Sequence, residues 1–500
     1  MRHFISFLVS LSLLAAFATS AAAQDGRWLR AETEGFIVHG AVPDRAIRGL
    51  ANELETFDAL LRRMTEATGE RSPTKLEVYL FSEDEFRQTF PNMRDSIAGL
   101  YAARVDQIAA FAIYRDGGLS NRDILFHEYA HHFMFQHFAN AYPAWYVEGF
   151  AEIMSTAQLG TDRIVLGRSS EGRFYALRNE TWMPIERLIT VSPFELRDPR
   201  EANLFYAQSW LMTHYLVLTP GKMEQFHAYM RALRLGQDPV SAFQSGFGVT
   251  PAEFLSELRR YYRGSPNALA LNRPAQVDLS RVQVTRLPAS ANNLLPLYTS
   301  IRYGVGDTSR TEVLSRVRSL TEGQSDRFST LTRAFAEIRL GETEQARAVL
   351  APLIESNPDD VEALYLSGLS YLTDAEDAEG NAERTLQSQA RRLFGRAYQR
   401  NPNHVPSLYR YAQSFDGVMM DRPALENYLN VLMLANQLAP QIDEISINAA
   451  YALMANDRHA EAIPMLRAVA FDPHGGGNAE VARGMLEEAQ SRLPAGEPSR

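Results

Sequence analysis

The sequence contains no cysteine among its 500 residues, which excludes disulfide bonds, thiolate metal ligands and the lipid anchor of a bacterial lipoprotein. It also lacks an excess of positive charge, since 50 lysines and arginines face 60 aspartates and glutamates, a formal net charge of −10. Binding to nucleic acid needs a basic surface, so we expect no nucleic-acid partner. After the first residues, no segment approaches the roughly 20 apolar residues that span a membrane. We therefore expect a soluble mature protein.

The first residues are typical of a secretory signal peptide. Arg2 and His3 precede an apolar run over residues 4–17, and the alanines at 21–23 fit the cleavage pattern of small residues. An uncleaved membrane anchor is the alternative, but the run is short and interrupted by serines. We predict a signal peptide over residues 1–23, a mature chain that begins at Gln24, and a periplasmic or secreted protein without a membrane span after cleavage.

The rest of the chain divides into two regions of different pattern. Over residues 24–264, alternating or β-branched segments predict strands at 35–39, 76–81 and 109–114. Helical periodicity predicts a helix over 47–61, and a capping box of Ser120 and Asp123 predicts another over 120–138. Further helices are expected at 145–157, 202–217, 223–235 and 251–262. This pattern predicts an α+β domain.

Residues 265–297 contain four prolines and little periodicity, and we interpret them as a connector. Residues 298–490 are then helical and repeat themselves. Prolines at 358, 402, 440 and 473 are separated by 44, 38 and 33 residues, whereas tetratricopeptide repeats have a period of about 34. An insertion near residues 377–384 would explain the long first interval. The residues expected at that repeat's fixed offsets are present, namely Ala334, Ala346, Leu364, Gly368, Tyr371, Ala390, Phe394 and Ala397. The region resembles tetratricopeptide repeats, which implies an all-α solenoid; a generic helical bundle is the alternative.

The chemistry of the chain centres on His127, Glu128 and His131, which form a His-Glu-x-x-His motif. On a helix, residues four apart lie about 40° apart around the axis, so both imidazoles can reach one metal ion. Glu128 falls on the same side, where it can accept a proton from a water on that metal. Two imidazoles and a carboxylate suit Zn²⁺ and leave a fourth position open.

A third ligand is expected from the segment Glu148-Gly149-Phe150-Ala151, which lies far enough beyond His131 for the chain to turn back. With this segment the sequence is similar to the gluzincin metallopeptidases, most closely the peptidase MA-like group, over about residues 34–262. The resemblance implies a zincin-like domain in which Glu148 is the third zinc ligand and Glu152 orients a zinc-bound histidine. The spacing is slightly shorter than in thermolysin-like enzymes, so Glu152 remains an alternative ligand.

Other residues complete the candidate site or compete for it. The resemblance maps a tyrosine that stabilises the oxyanion onto Tyr206, with packing on its helix as the alternative; His214 is a weaker candidate. His137 occupies the last position of the metzincin pattern. That pattern needs a glycine where this chain has Met134, and a continuous helix would point His137 away from His131.

Together these features predict an exported zinc metallopeptidase with Glu128 as general base. The helical repeats would bind the protein substrate or a partner protein. One alternative is a non-catalytic peptidase-fold scaffold whose repeats mediate protein interactions in the cell envelope. Another is a zinc hydrolase with a non-peptide substrate, because the motif specifies an activated water and not the bond that the water attacks. The choice between endopeptidase and exopeptidase stays open.

Overall fold

The computed structural model describes residues 26–69, 71–93, 99–115, 118–119, 122–138, 142–168, 170–264, 266–273, 282–415, 422–472 and 476–493. The predicted signal peptide, Ser120 and Pro473 lie outside these residues. Within them, no helix combines the length and the apolar character that a membrane crossing requires.

The first half of the chain contains both strands and helices. The strands are β1 (Leu29–Glu32), β2 (Phe36–Gly40), β3 (Leu76–Phe81), β4 (Gly99–Arg104), β5 (Gln107–Arg115), β6 (Gly118–Leu119), β7 (Gln158–Leu159), β8 (Arg163–Leu166), β9 (Leu269–Asn272) and β10 (Gln283–Arg286). The helices are α1 (Asp44–Thr65), α2 (Glu83–Thr89), α3 (Arg122–His137), α4 (Ala144–Ser155), α5 (Glu171–Asn179), α6 (Ile185–Thr190), α7 (Pro199–Leu218), α8 (Lys222–Arg234), α9 (Pro239–Phe247) and α10 (Pro251–Arg263). This part of the chain thus mixes strands with helices, and α3 is the helix that carries the His-Glu-x-x-His motif.

The main sheet has the strand order β10-β1-β2-β3-β5-β4, with β6 paired to β5. Strands β2, β3 and β5 are parallel, whereas β1, β4 and β10 pair antiparallel to their neighbours. Helix α1 connects β2 to β3, as a parallel pair requires. Strand β4 is therefore an edge strand of the described sheet, and it runs against the direction of β5.

Alternation along the strands gives the sheet two apolar faces. Val78 and Leu80 point into the core that contains α1 and α3. Tyr79 and Phe81, at the alternate positions of β3, belong to a separate core with Phe86 of α2. Because both faces are covered, the central strands are apolar at nearly every position. Helix α3 packs on one of these faces beside β4 and β5.

The predicted connector contributes to the sheets of the first domain. Strand β9 pairs with β8 in a small second sheet, and β10 pairs with β1 at the edge of the main sheet. Periodicity could not predict this pairing, because each strand has only four residues and prolines lie around them. In addition, the partner of β10 lies more than 250 residues earlier in the chain.

The second half of the chain is an array of antiparallel helices. They are α11 (Ala291–Tyr303), α12 (Arg310–Thr321), α13 (Arg327–Leu340), α14 (Thr343–Ser356), α15 (Val361–Glu376), α16 (Asn381–Arg400), α17 (Val405–Gln413), α18 (Arg422–Leu438), α19 (Asp443–Met454), α20 (His459–Ala470) and α21 (Gly476–Ser491). Each helix packs on the next, and the odd-numbered helices α11, α13, α15 and α17 also contact one another in sequence. Such a pattern is that of a helical repeat array in which these odd-numbered helices lie side by side in one layer.

The repeat positions predicted from the sequence lie at the contacts between helices. Ala334, Ala346, Ala390 and Ala397 are completely buried. A Cβ atom added to Gly368 would lie 2.6 Å from Cε1 of the Phe394 ring. Glycine at this position therefore lets α15 and α16 pack closely around an aromatic side chain.

Candidate metal centre

The side chains of helix α3 that lie opposite its His-Glu-x-x-His motif contact α1, and these contacts fix how α3 is rotated about its own axis. The ring of Phe126 stacks on Phe57 of α1, with the centroids 4.1 Å apart. The Tyr129 hydroxyl donates a buried hydrogen bond of 2.7 Å to a carboxylate oxygen of Asp58. These contacts turn the motif toward α4.

Helix α4 brings the third candidate ligand to the motif because it packs closely against α7. A Cβ atom on Gly149 would lie 2.2 Å from Oγ1 of Thr213 and 2.3 Å from the carbonyl oxygen of Ser209. Only glycine allows this approach. The neighbouring residue Glu148 is thereby held in the interior with no exposed surface. The close packing of α4 against α7 thus requires the glycine of the Glu-Gly-x-Ala segment.

His127, His131 and Glu148 converge on one point. Their potential ligand atoms all lie within 4.8 Å of one another. Nε2 of His127 lies 3.0 Å from Nε2 of His131, and each of these nitrogens lies 3.4 Å from Oε2 of Glu148. The three residues predicted as ligands therefore form a nearly equilateral triangle of donor atoms.

This triangle fits a zinc ion in both size and chemistry. Two bonds of about 2.0–2.1 Å at a tetrahedral angle separate their donor atoms by about 3.3–3.4 Å, close to the 3.0 and 3.4 Å observed here. Two imidazoles with one carboxylate are also the protein ligands of many catalytic zinc sites. The donor set could thus hold zinc with one position left for water or substrate.

The charge around His127 favours a bound cation. Burial tends to lower the pKa of His127, but the hydrogen bond and negative charge of Glu148, together with the charges of Glu152 and Glu128, outweigh it and raise the pKa. Three carboxylates thus act on one imidazole, whose side chain is only 15% exposed. A divalent metal ion would relieve their mutual repulsion.

Glu152 lies on the other side of His127 and is held there by an arginine. Its Oε1 lies 3.6 Å from Nδ1 of His127. Arg173 of α5 binds both oxygens of Glu152, with Nε 2.9 Å from Oε2 and Nη2 2.8 Å from Oε1. Arg173 also donates a hydrogen bond to Oδ1 of Asn203 in α7. This chain of contacts orients the His127 ring so that Nε2 faces Glu148.

Tyr206 of α7 lies beside the donor triangle. Its ring centroid is 6.5 Å from that of His127, and the Arg173 guanidinium lies 4.8 Å from the same tyrosine ring. Burial, followed by the charge of Glu148, raises the pKa of Tyr206. The phenol therefore stays protonated and can act as a hydrogen-bond donor in this site.

Glu128 is partly exposed, and its charge acts on several groups of the site. It raises the pKa of His127 and of Tyr206, and also that of Tyr101 in β4. Glu128 is therefore near both the donor triangle and the edge strand. A carboxylate at this place can exchange a proton with a water at the centre.

The other histidines considered from the sequence lie elsewhere. Helix α3 continues through His137, whose Nε2 is 3.2 Å from Nη2 of Arg62 and whose ring packs on Phe133. Nδ1 of His214 is 2.7 Å from the Tyr261 hydroxyl. Neither histidine belongs to the group of candidate metal ligands among the described residues.

Sequence reasoning missed two residues that support the site. Arg173 comes from α5, and no motif spacing connects it to Glu152. The Tyr101 hydroxyl lies 2.9 Å from Nδ1 of His132, and this contact joins β4 to α3. His132 directly follows the candidate ligand His131 in the sequence. Burial lowers the pKa of His132 to about 4, so this ring is neutral. Both contacts depend on tertiary packing, and local sequence carries no signal for them.

Replacement of Arg173 by methionine tests the contact chain behind His127. The variant leaves Glu152 without its bidentate cation and frees the His127 ring to rotate. We expect zinc affinity or activity to fall by about 10–100-fold, as is typical when a partner of a metal-binding histidine is lost. Arg187→Met is the matched control, because it removes an exposed arginine–glutamate pair with Glu201. An Arg173→Met protein that matches this control in zinc titration and turnover would contradict the role.

Comparison with known proteins gives limited matches. No protein-family profile and no curated protein sequence matches the chain. Among solved structures, the chain is similar to the tetratricopeptide-repeat protein TTC0263 of Thermus thermophilus, with 16% identity, a TM-score of 0.34, and coverage of 40% of this chain and 100% of that one. It is also similar to MamA of Desulfovibrio magneticus RS-1, with 16% identity, a TM-score of 0.26, and coverage of 41% and 98%.

Proposed function

We propose that the chain is a zinc metallopeptidase of the gluzincin type, with His127, His131 and Glu148 as its zinc ligands. The observation that carries this proposal is the triangle of donor atoms, 3.0 to 3.4 Å on each side, formed by residues from two helices. Two further observations support it: the charge of the partly exposed Glu128 acts on His127, and Oε1 of Glu152 lies 3.6 Å from Nδ1 of His127.

Zinc in such a site supplies a Lewis acid that polarises a carbonyl and lowers the pKa of a water to about 7. The residues of this chain then have distinct tasks. Glu128 accepts the proton of the attacking water and passes it to the amine nitrogen that leaves. Tyr206 donates a hydrogen bond to the carbonyl oxygen as negative charge develops there. Glu152 and Arg173 keep the His127 ring in place.

Metal content and cleavage products of the full-length protein test this function together. We expect about one zinc per chain by mass spectrometry of the metal. We also expect the protein to cleave peptides of a proteome-derived library. This cleavage should stop when the chelator 1,10-phenanthroline is added and resume when zinc is added back. Stoichiometric zinc without any cut would instead favour a hydrolase of non-peptide substrates.

A scaffold without catalysis is the second candidate function. It is favoured by the extent of the helical array and by exposed apolar side chains on its last helices, where Tyr451, Phe471 and Val481 are 66%, 50% and 53% exposed. In this case the repeats would bind a partner protein in the cell envelope. A chain that binds no stoichiometric zinc and cuts no peptide would support this function over the first.

Export is part of the proposal, and it makes a direct prediction for the mature N-terminus. If residues 1–23 are removed as a signal peptide, mass spectrometry of the protein recovered from the periplasm or medium will place its N-terminus at Gln24. An Ala23→Leu variant is expected to retain the leader, because a signal peptidase requires a small residue at that position. Export would be contradicted if the wild-type protein is recovered from the cytoplasm with residues 1–23 still attached.

A further inference from the structure

Odd-numbered helices of the array contact the chain's own β4–β5 hairpin. Asp106 lies in the turn of this hairpin, and its side chain is only 12% exposed. Its carboxylate accepts hydrogen bonds from Arg339 of α13 and from the Tyr365 hydroxyl of α15. Nε of Arg302 in α11 donates to its carbonyl oxygen at 2.9 Å. Three consecutive odd-numbered helices therefore hold one turn.

A fourth helix adds positive charge near the same turn. Arg410 of α17 is close enough to Asp106 for its charge to act on the carboxylate. Burial tends to raise the pKa of Asp106, but the charges of Arg339 and Arg410, the hydrogen bond of Tyr365 and the charge of Arg302 lower it. Arg302 also forms an ion pair with Glu77 of β3 at 3.3 Å. Acidic groups of the sheet thus meet basic groups of the array, an arrangement that specifies one orientation.

The hairpin is also tied to the candidate metal centre. The Tyr101 hydroxyl of β4 contacts His132 of α3, and a Cβ atom on Gly99 would lie 2.9 Å from Ile124 of the same helix. Helix α19 contacts β4 from the side of the array. Strand β4 is therefore held between the helix that carries the metal-binding motif and the helical repeats.

We propose that the helical array is an internal clamp, which binds the β4–β5 hairpin through Asp106 and fixes strand β4 beside the candidate metal centre. The partner of this part of the array is an acidic β-turn of the same chain. An outside protein would have to bind elsewhere on the array or displace the hairpin. The effect of the clamp on catalysis rests on the proposed function. For that effect, Asp106 is a positioning residue.

Asp106→Asn in the full-length protein tests the clamp, and Asp374→Asn is a matched control. Asp374 also accepts hydrogen bonds from an arginine and a hydroxyl, Arg347 and Thr343, but its contacts lie within the array. The absence of cysteine permits spin labels at Arg45→Cys and Glu355→Cys, both exposed positions on α1 and α14. We expect a narrow distance distribution in the wild type and in Asp374→Asn, and a broadened one in Asp106→Asn.

Hydrogen exchange gives the second readout. Amides of residues 101–107 are expected to exchange at least ten times faster in Asp106→Asn than in the control, with partial rescue in Asp106→Glu. If Asp106→Asn fails to fold, Tyr365→Phe removes a single hydroxyl and is expected to give a smaller change in the same direction. Equal distance distributions and equal exchange in Asp106→Asn and the control would overturn the clamp.

Activity separates the clamp from the proposed function. With zinc stoichiometry unchanged, we expect kcat/KM of Asp106→Asn to fall about tenfold, and Asp106→Glu to recover part of it. Native kcat/KM with a broadened distance distribution would overturn the positioning role of Asp106. If the wild type neither binds zinc nor cuts peptides, the proposed function fails, while the distance and exchange measurements still decide whether the clamp exists.

Discussion

Replacement of Glu128 by glutamine is expected to abolish peptide cleavage while zinc stays bound. Glutamine has nearly the same shape as glutamate but cannot accept the proton of the attacking water. General-base catalysis contributes about 10²–10⁴-fold, so kcat should fall by at least two orders of magnitude. The zinc stoichiometry should remain that of the wild type, because His127, His131 and Glu148 are unchanged.

Asp123→Asn is the matched control for this experiment. Asp123 is an exposed acid in the first turn of the same helix. Its replacement removes one negative charge from α3 without changing the donor triangle. We expect near-native turnover from Asp123→Asn under conditions where Glu128→Gln is inactive. A Glu128→Gln enzyme that cuts peptides at the wild-type rate would contradict the assignment of the general base.

Removal of Glu148 is expected to have the largest effect on zinc. Its Oε2 is one corner of the donor triangle, and its side chain has no exposed surface. Glu148→Ala deletes one of the three proposed ligands, and we expect the zinc affinity to fall by about a thousandfold, equivalent to about 4 kcal/mol. Competition with a fluorescent chelator measures this change.

Glu152→Ala decides which carboxylate binds the metal. Glu152 faces Nδ1 of His127, on the far side of the ring from the donor triangle. We therefore expect a loss of about 10–100-fold in zinc affinity, the usual cost of removing a partner of a metal-binding histidine. A larger loss for Glu152→Ala than for Glu148→Ala would reverse the assignment of the two acids.

Local sequence signals were sufficient where the structure depends on neighbouring residues. Apolar alternation predicted β2, β3 and β5, and helical periodicity predicted α1. The His-Glu-x-x-His motif placed its two histidines on one side of α3, because residues four apart always share a side of a helix. The buried alanines of the array followed from the repeat period in the same way.

Sequence reasoning could not predict the contacts made between distant segments. Strand β10 pairs with β1 across more than 250 residues, and the pairing leaves no periodicity in either segment. Arg173 reaches Glu152 because α5 packs against α7. The clamp on Asp106 needs contacts from three helices at once, α11, α13 and α15. These features follow from how the elements pack, which no local pattern encodes.

The zinc-edge anomalous difference map of a zinc-loaded crystal is the most direct test of the central claim. We predict one strong peak within about 2.0–2.2 Å of Nε2 of His127, Nε2 of His131 and a carboxylate oxygen of Glu148. Contradiction would come from zinc-saturated crystals in which no peak lies between these three side chains, or in which the metal lies on other residues.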